Sequence, residues 1–151
     1  MCWLTNNLRL SFPRKSKKNI PILKVTNYDL HGFYYRSYAY ELGKLNVLEK
    51  GFKVQRELLF YCRVEEGFHS YNLNKIRIKK SCIGNHYMIY KKRNWLANKL
   101  TVPKLIGCFP AESTVLVIGY IPKNTRYLEN NDGEMVSDKI ILTEYLQICV
   151  G

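Results

Sequence analysis

The sequence predicts a β-rich α+β domain ending in a strand–hairpin–strand block, and three observations carry that expectation. Tyrosine is abundant, at 12 of 151 residues, and tyrosine favours strands and half-buried faces. Two apolar runs, Val115 to Ile118 and Ile140 to Leu142, flank Asn130-Asn131-Asp132-Gly133. That tetrad is a tight-turn signal, because Asp-Gly tolerates the positive φ of a two-residue hairpin turn. Finally, no internal repeat, low-complexity segment or domain-splitting linker interrupts the chain. A single compact domain follows at this length.

Taken in order, residues 1–19 form a basic N-terminal arm around Ser11-Phe-Pro-Arg-Lys-Ser-Lys-Lys18. It suits phosphate docking or a flexible, solvated terminus. Residues 20–151 form the globular domain. Ile20 to Asn27 reads as a short strand, with Ile22, Leu23 and Val25 behind Pro21. Tyr28 to Gly43, with glycines at 32 and 43, reads as a strand approaching a turn, its alternation only partly kept. Lys50-Gly51 is a turn. Val54 to Val64 favours strand over short helix, since aromatic and β-branched residues increase towards its end. Val64 to Asn72 reads as a loop, freed at Gly67 and anchored by Phe68 and Tyr71. Ile76-Arg-Ile78 between lysines is a half-exposed edge strand protected by charge. Pro103 and Gly107 break the chain before Val115 to Ile118, a buried strand.

The formal charge is +12 and unevenly placed. Residues 1–104 hold 21 cations against 6 carboxylates, whereas residues 105–151 hold 3 against 6. The asymmetry permits a nucleic-acid or other polyanion partner, and equally a solvated basic surface. Five cysteines, an odd number without a close pair, argue against a disulfide framework and for a reducing compartment. No CxxC or Cys–His cluster is present, so no metal site is expected. With no signal-peptide pattern and no apolar run of membrane-spanning length, the expectation is a soluble cytoplasmic protein without a membrane partner.

Catalytic patterns are missing: no Gly-rich phosphate loop, no HExxH and no GxSxG. The paired carboxylates Glu65-Glu66, and Glu134 with Asp138, lack the setting of an acid–base dyad. The expectation is therefore a binding protein that is not an enzyme and has no cofactor. Lys91, Lys92 and Arg93 beside Trp95, interleaved with Tyr87 and Tyr90, suit a single-stranded nucleic-acid platform, where bases stack on aromatics and cations meet phosphates. An exposed basic turn beside a core tryptophan has the same composition. His69 and Tyr71 are ligand-binding candidates, and His69 with Ser70 would bring an imidazole and a hydroxyl to a cleft. Neighbours in a strand, however, point to opposite faces. Arg36 sits among tyrosines, where a cation–π contact or a ligand explains it equally well.

Gly67-Phe-His-Ser-Tyr71, Ile121-Pro-Lys-Asn-Thr-Arg-Tyr127 and Asp132-Gly-Glu-Met-Val-Ser-Asp-Lys-Ile140 together resemble a group of uncharacterised small proteins of Bacteroides-type gut bacteria and their phages. Asn124 stands where that group usually shows glycine. The resemblance covers about half the chain and implies a phage or mobile-element origin, with no established activity. A more distant similarity is to ADP-ribosyltransferases of the arginine–serine–glutamate type. Tyr35-Arg36, His69-Ser70 and Pro122-Lys-Asn-Thr125 fall in the order of that family's aromatic-arginine strand, serine strand and P-x-G-T turn. It implies NAD as cofactor, contacts from Arg36 and Ser70, and a carboxylate role for Glu134 or Asp138. The family's glutamate would fall near Ser137 to Lys139, where this chain carries Asp138 instead.

Overall fold

The computed structural model of the chain describes residues 13–32, 38–58, 61–81, 83–92 and 103–148. Strands β1 (Arg14–Lys15), β2 (Ile20–Asn27), β3 (Leu45–Val47), β4 (Lys53–Leu58), β5 (Tyr61–Glu66), β6 (Phe68–Asn72) and β7 (Ile76–Lys80) come first. They are followed by β8 (His86–Lys91), β9 (Leu105–Pro110), β10 (Thr114–Ile121), β11 (Arg126–Glu129), β12 (Glu134–Ser137) and β13 (Lys139–Tyr145). Eight strands form one sheet in the order β1-β11-β12-β6-β2-β10-β13-β3, β4 pairs with β5, and β7-β8-β9 form a third sheet. All these strand pairings are antiparallel. The fold is β-rich. Among the described residues the helical part of the α+β expectation comes down to one 3-10 turn, Leu73–Lys75.

Strand alternation decides what each face of the large sheet covers. On β2, Ile22 and Lys24 point to one face, and Leu23 and Val25 to the other. β10 lies alongside in register, Val117 opposite Lys24 and Leu116 opposite Val25. The first face carries a core of Ile22, Phe68, Val117, Met135, Ile140 and Leu142, closed by Tyr40, Leu48 and Phe52. The second carries Leu23, Val25, Tyr71 and Leu116 against Ile76 and Ile89 of the three-stranded sheet. With both faces covered, the central strands read as nearly continuous apolar runs. That is why Ile20 to Asn27 and Val115 to Ile118 were recognisable as strands. The same cover hides β6. All five of its residues are buried, so the expected loop at Phe68–Asn72 is a strand inside the large sheet.

The C-terminal block folds as expected, with β11 and β12 paired from Tyr127–Ser137 to Glu129–Met135. Its turn has three residues, where the sequence suggested two. Gly133 N–H donates to the Asn130 carbonyl at 3.3 Å and Asn130 N–H to the Glu134 carbonyl at 3.0 Å. Gly133 has φ +86°, the left-handed residue that follows a type I turn in such hairpins. Asn130 Oδ1 accepts from the N–H groups of Asp132 and Glu134, each at 3.0 Å. This side-chain bonding makes asparagine the organising residue of the turn.

Both margins of the large sheet are tied down. Arg126, on β11, donates to the Phe52 carbonyl at 2.9 Å and stacks on the Phe52 ring at 4.1 Å. Its Nε lies 3.7 Å from Asp138. Phe52 follows β3, the strand at the opposite margin, so the sheet curls around its first core. Residues 14–19, within the stretch read as a basic arm, run beside the turn after β10. Ser16 Oγ donates to the Pro122 carbonyl at 2.6 Å and accepts from Thr125 N–H at 3.0 Å, and Asn19 Oδ1 accepts from Lys123 N–H at 2.9 Å. Asn124 turns this corner with φ +66°, a conformation asparagine tolerates better than most residues.

Candidate functional site

The strongest polar anomaly of the interior lies where β2 and β6 part. The two strands pair only at Ile22–Asn72 and Leu23–Tyr71. Past that point β2 turns its edge to another segment, through a bridge from Thr26 to Gly32. Lys24 and Ser70 are the next residues along each strand on the face that bears Ile22 and Asn72. Lys24 is 2% exposed. Its ammonium donates to the His69 carbonyl at 2.5 Å and sits over the Tyr40 ring, 4.8 Å from the centroid. Tyr40 in turn packs edge-on against Phe68. Burial pushes the Lys24 amine down to about 7, because the charged form has lost its water. Ser70 Oγ is buried without a hydrogen bond. A lysine amine of lowered pKa is a nucleophile that can attack a carbonyl, but here it is buried beneath the Tyr40 ring.

His69 points to the other face with Tyr71. Burial, and then the charge of Lys24, hold the imidazole well below its ordinary value. It is a neutral interior ring. Tyr71 is part of the second core, and its hydroxyl lies under Gly107, where an added Cβ would stand 2.7 Å away. Both ligand-binding candidates are buried.

The carboxylates gather at the β11–β12 hairpin. Glu129 accepts from Asn72 Nδ2 at 2.9 Å and pairs with Lys75 at 3.1 Å and Arg14 at 3.9 Å. Asp132 meets Lys104 at 2.7 Å and Lys91 at 3.4 Å. Glu134 accepts from Asn130 Nδ2 at 3.2 Å. Burial raises its carboxyl to about 7, the Asn130 bond and the Lys104 charge opposing and Asp132 reinforcing. The acidic turn is thus held by cations from distant parts of the chain.

Of the residues suggested by the ADP-ribosyltransferase resemblance, Ser70 and Glu134 do not share a face of the sheet. Register places Ser70 opposite Met135 and Glu134 opposite Tyr71, so Ser70 and Glu134 project from opposite faces. Asp138, in the bend after β12, is engaged by Arg126. Arg36 lies outside the described residues. Of the nucleic-acid candidates, Lys91 pairs with Asp132 while its side chain stays 41% exposed, Lys92 is exposed, and Arg93 and Trp95 lie outside the described residues. Among the described residues no three His, Cys, Asp or Glu side chains form a group that could hold a metal ion. No described helix is long and apolar enough to cross a membrane. Lys24 was missed by sequence reasoning; its signal was a cation in the middle of an otherwise apolar strand. No family model, curated protein or solved structure matches the chain.

Proposed function

We propose that the protein is a small non-catalytic binding protein of phage or mobile-element type. The observation that carries this reading is the dispersal of its chemically capable groups. Ser70 and Glu134 project from opposite faces of one sheet, Asp138 is turned to Arg126, and the amine of Lys24 is buried. Acid–base or nucleophilic chemistry needs such groups within hydrogen-bond reach of one reacting atom. Strand alternation gives Ser70 and Glu134 no common face.

Two measurements on the purified chain test the reading. Incubation with NAD is expected to give neither nicotinamide release nor transfer of ADP-ribose to an added protein. Titration with NAD is expected to leave Tm unchanged, since a ligand of the native state raises it by mass action. Turnover would overturn the non-catalytic reading in favour of an ADP-ribosyltransferase-like activity. A saturable rise in Tm without turnover would point to a degenerate NAD-binding relative of that fold.

A further inference from the structure

Residues 67–111 contain seven lysines, two arginines and no carboxylate. The fold uses some of these cations internally: Lys75 meets Glu129, and Lys91 and Lys104 meet Asp132. Others have no such use. On β7, Ile76 is buried and Arg77 and Lys79 alternate with it to the outside. Lys92, just past β8, is also exposed. Among the described residues none of Arg77, Lys79 and Lys92 meets a carboxylate within ion-pair distance.

The register of the three-stranded sheet arranges what lies beside them. Tyr90 stands opposite Arg77 and Leu105 opposite Tyr90, while Met88 stands opposite Lys79 and Cys108 opposite Met88. Ile89 between them is fully buried, so Met88 and Tyr90 belong to the outer face. Each row therefore runs from a cation on the edge strand to an aromatic or apolar side chain in the middle. Leu105 is 45% exposed at the end of one row. Arg77 and Lys79 are two residues apart on one strand face, about 7 Å, the scale of successive phosphates on an extended single strand. Like charges at that spacing are unfavourable on their own, and a polyanion relieves them.

We propose that the outer face of β7-β8-β9 binds single-stranded nucleic acid, with Arg77, Lys79 and Lys92 on phosphates and Tyr90 stacked on a base. Charge complementarity sets the polyanion, and the aromatic and apolar centre sets the single strand, because only unpaired bases offer their faces for stacking. The inference rests on the reading of the chain as a binding protein and gives that protein its partner.

Fluorescence anisotropy of the full chain with a labelled oligothymidylate of about a dozen nucleotides, within the usual site range, tests it. Binding is expected to weaken with salt, with a log–log slope of about −2 for three phosphate contacts. Arg77→Ala or Lys79→Ala should reduce that slope by about 0.7. Tyr90→Ala should weaken binding roughly ten-fold, and Tyr90→Phe should restore it. Lys79→Glu gives a second measure should Tyr90→Ala fail to fold. No binding, or binding indifferent to Tyr90→Ala and matched by heparin or anionic phosphatidylserine vesicles, would overturn the proposal. Such a failure without NAD turnover removes this surface alone, whereas NAD turnover removes the non-catalytic reading.

Discussion

Lys24 is where burial and charge conflict most directly. Its ammonium has exchanged water for one carbonyl, that of His69, and the face of Tyr40, and its proton is held only to about pH 7 instead of 10.5. The unfolded chain keeps that proton up to its ordinary value. Between pH 7 and 10.5 the unfolded state therefore binds more protons than the folded one, so this residue makes stability rise with pH across that window. Below pH 7 the whole cost stands, on the order of 5 kcal/mol. Lys24→Met keeps a long side chain against Tyr40 and removes the charge. The variant should unfold at higher urea than the native chain at pH 7, by several kcal/mol, and its stability should no longer climb from pH 7 to 10 through this group. Urea titrations at pH 7, 8.5 and 10 check both points; equal pH slopes in the two proteins would show that Lys24 is not the cause. In the sequence this residue was legible only as a break in a strand. Its cost depends on Tyr40, which approaches from a separate segment.

At the scale of elements, β10 organises the large sheet, lying between β2 and β13. Its pairing with β13 shifts register between Ile118 and Gly119, and the shift requires the two backbones to close up at Gly119. A Cβ there would stand 2.0 Å from the Ile141 carbonyl oxygen and 2.8 Å from Leu142 Cα. Both are backbone atoms, so no rotamer change can relieve the clash. Gly119→Ala should cost about 3 kcal/mol or more, read as a fall in Tm or as loss of soluble protein. A variant as stable as the native chain would mean the bulge relaxes elsewhere in β13. Local pattern made much of this level readable. β2, β10 and the edge strand β7 announced themselves by apolar runs or by charge alternation, and the Asn130–Gly133 turn by its residue types. β6 did not, because its polar residues are covered as fully as its apolar ones, and burial by distant strands leaves no alternation to read.

At the scale of the molecule, the charge asymmetry that suggested a polyanion partner is partly spent inside the fold. The acidic hairpin is met by Arg14, Lys75, Lys91 and Lys104, drawn from the first strand, the turn after β6, the end of β8 and the approach to β9. The separation of cations and carboxylates along the chain was plain in the sequence, but not which cations fold onto the carboxylates. That depends on sheet order, which puts β12 beside β6 and so brings the hairpin next to the turn at Leu73–Lys75. The division has a measurable consequence. Asp132 holds two of the four cations, and its side chain is only 12% exposed, so Asp132→Asn strips two partly covered pairs at nearly constant shape. At low salt the variant should lose about 1 kcal/mol. It should also narrow the difference between low and high salt, because those pairs are the part that salt screens. The carboxyl of Glu134, which Asp132 helps to raise, should ionise at lower pH in the variant. The added Lys104→Ala substitution should then cost less than it does alone, since its partner charge is gone. Chemical denaturation of the two single variants and the double variant at two salt concentrations measures this coupling. Strict additivity would mean that the hairpin is held by its turn and its strand pairing, with the cations around it free for an external partner.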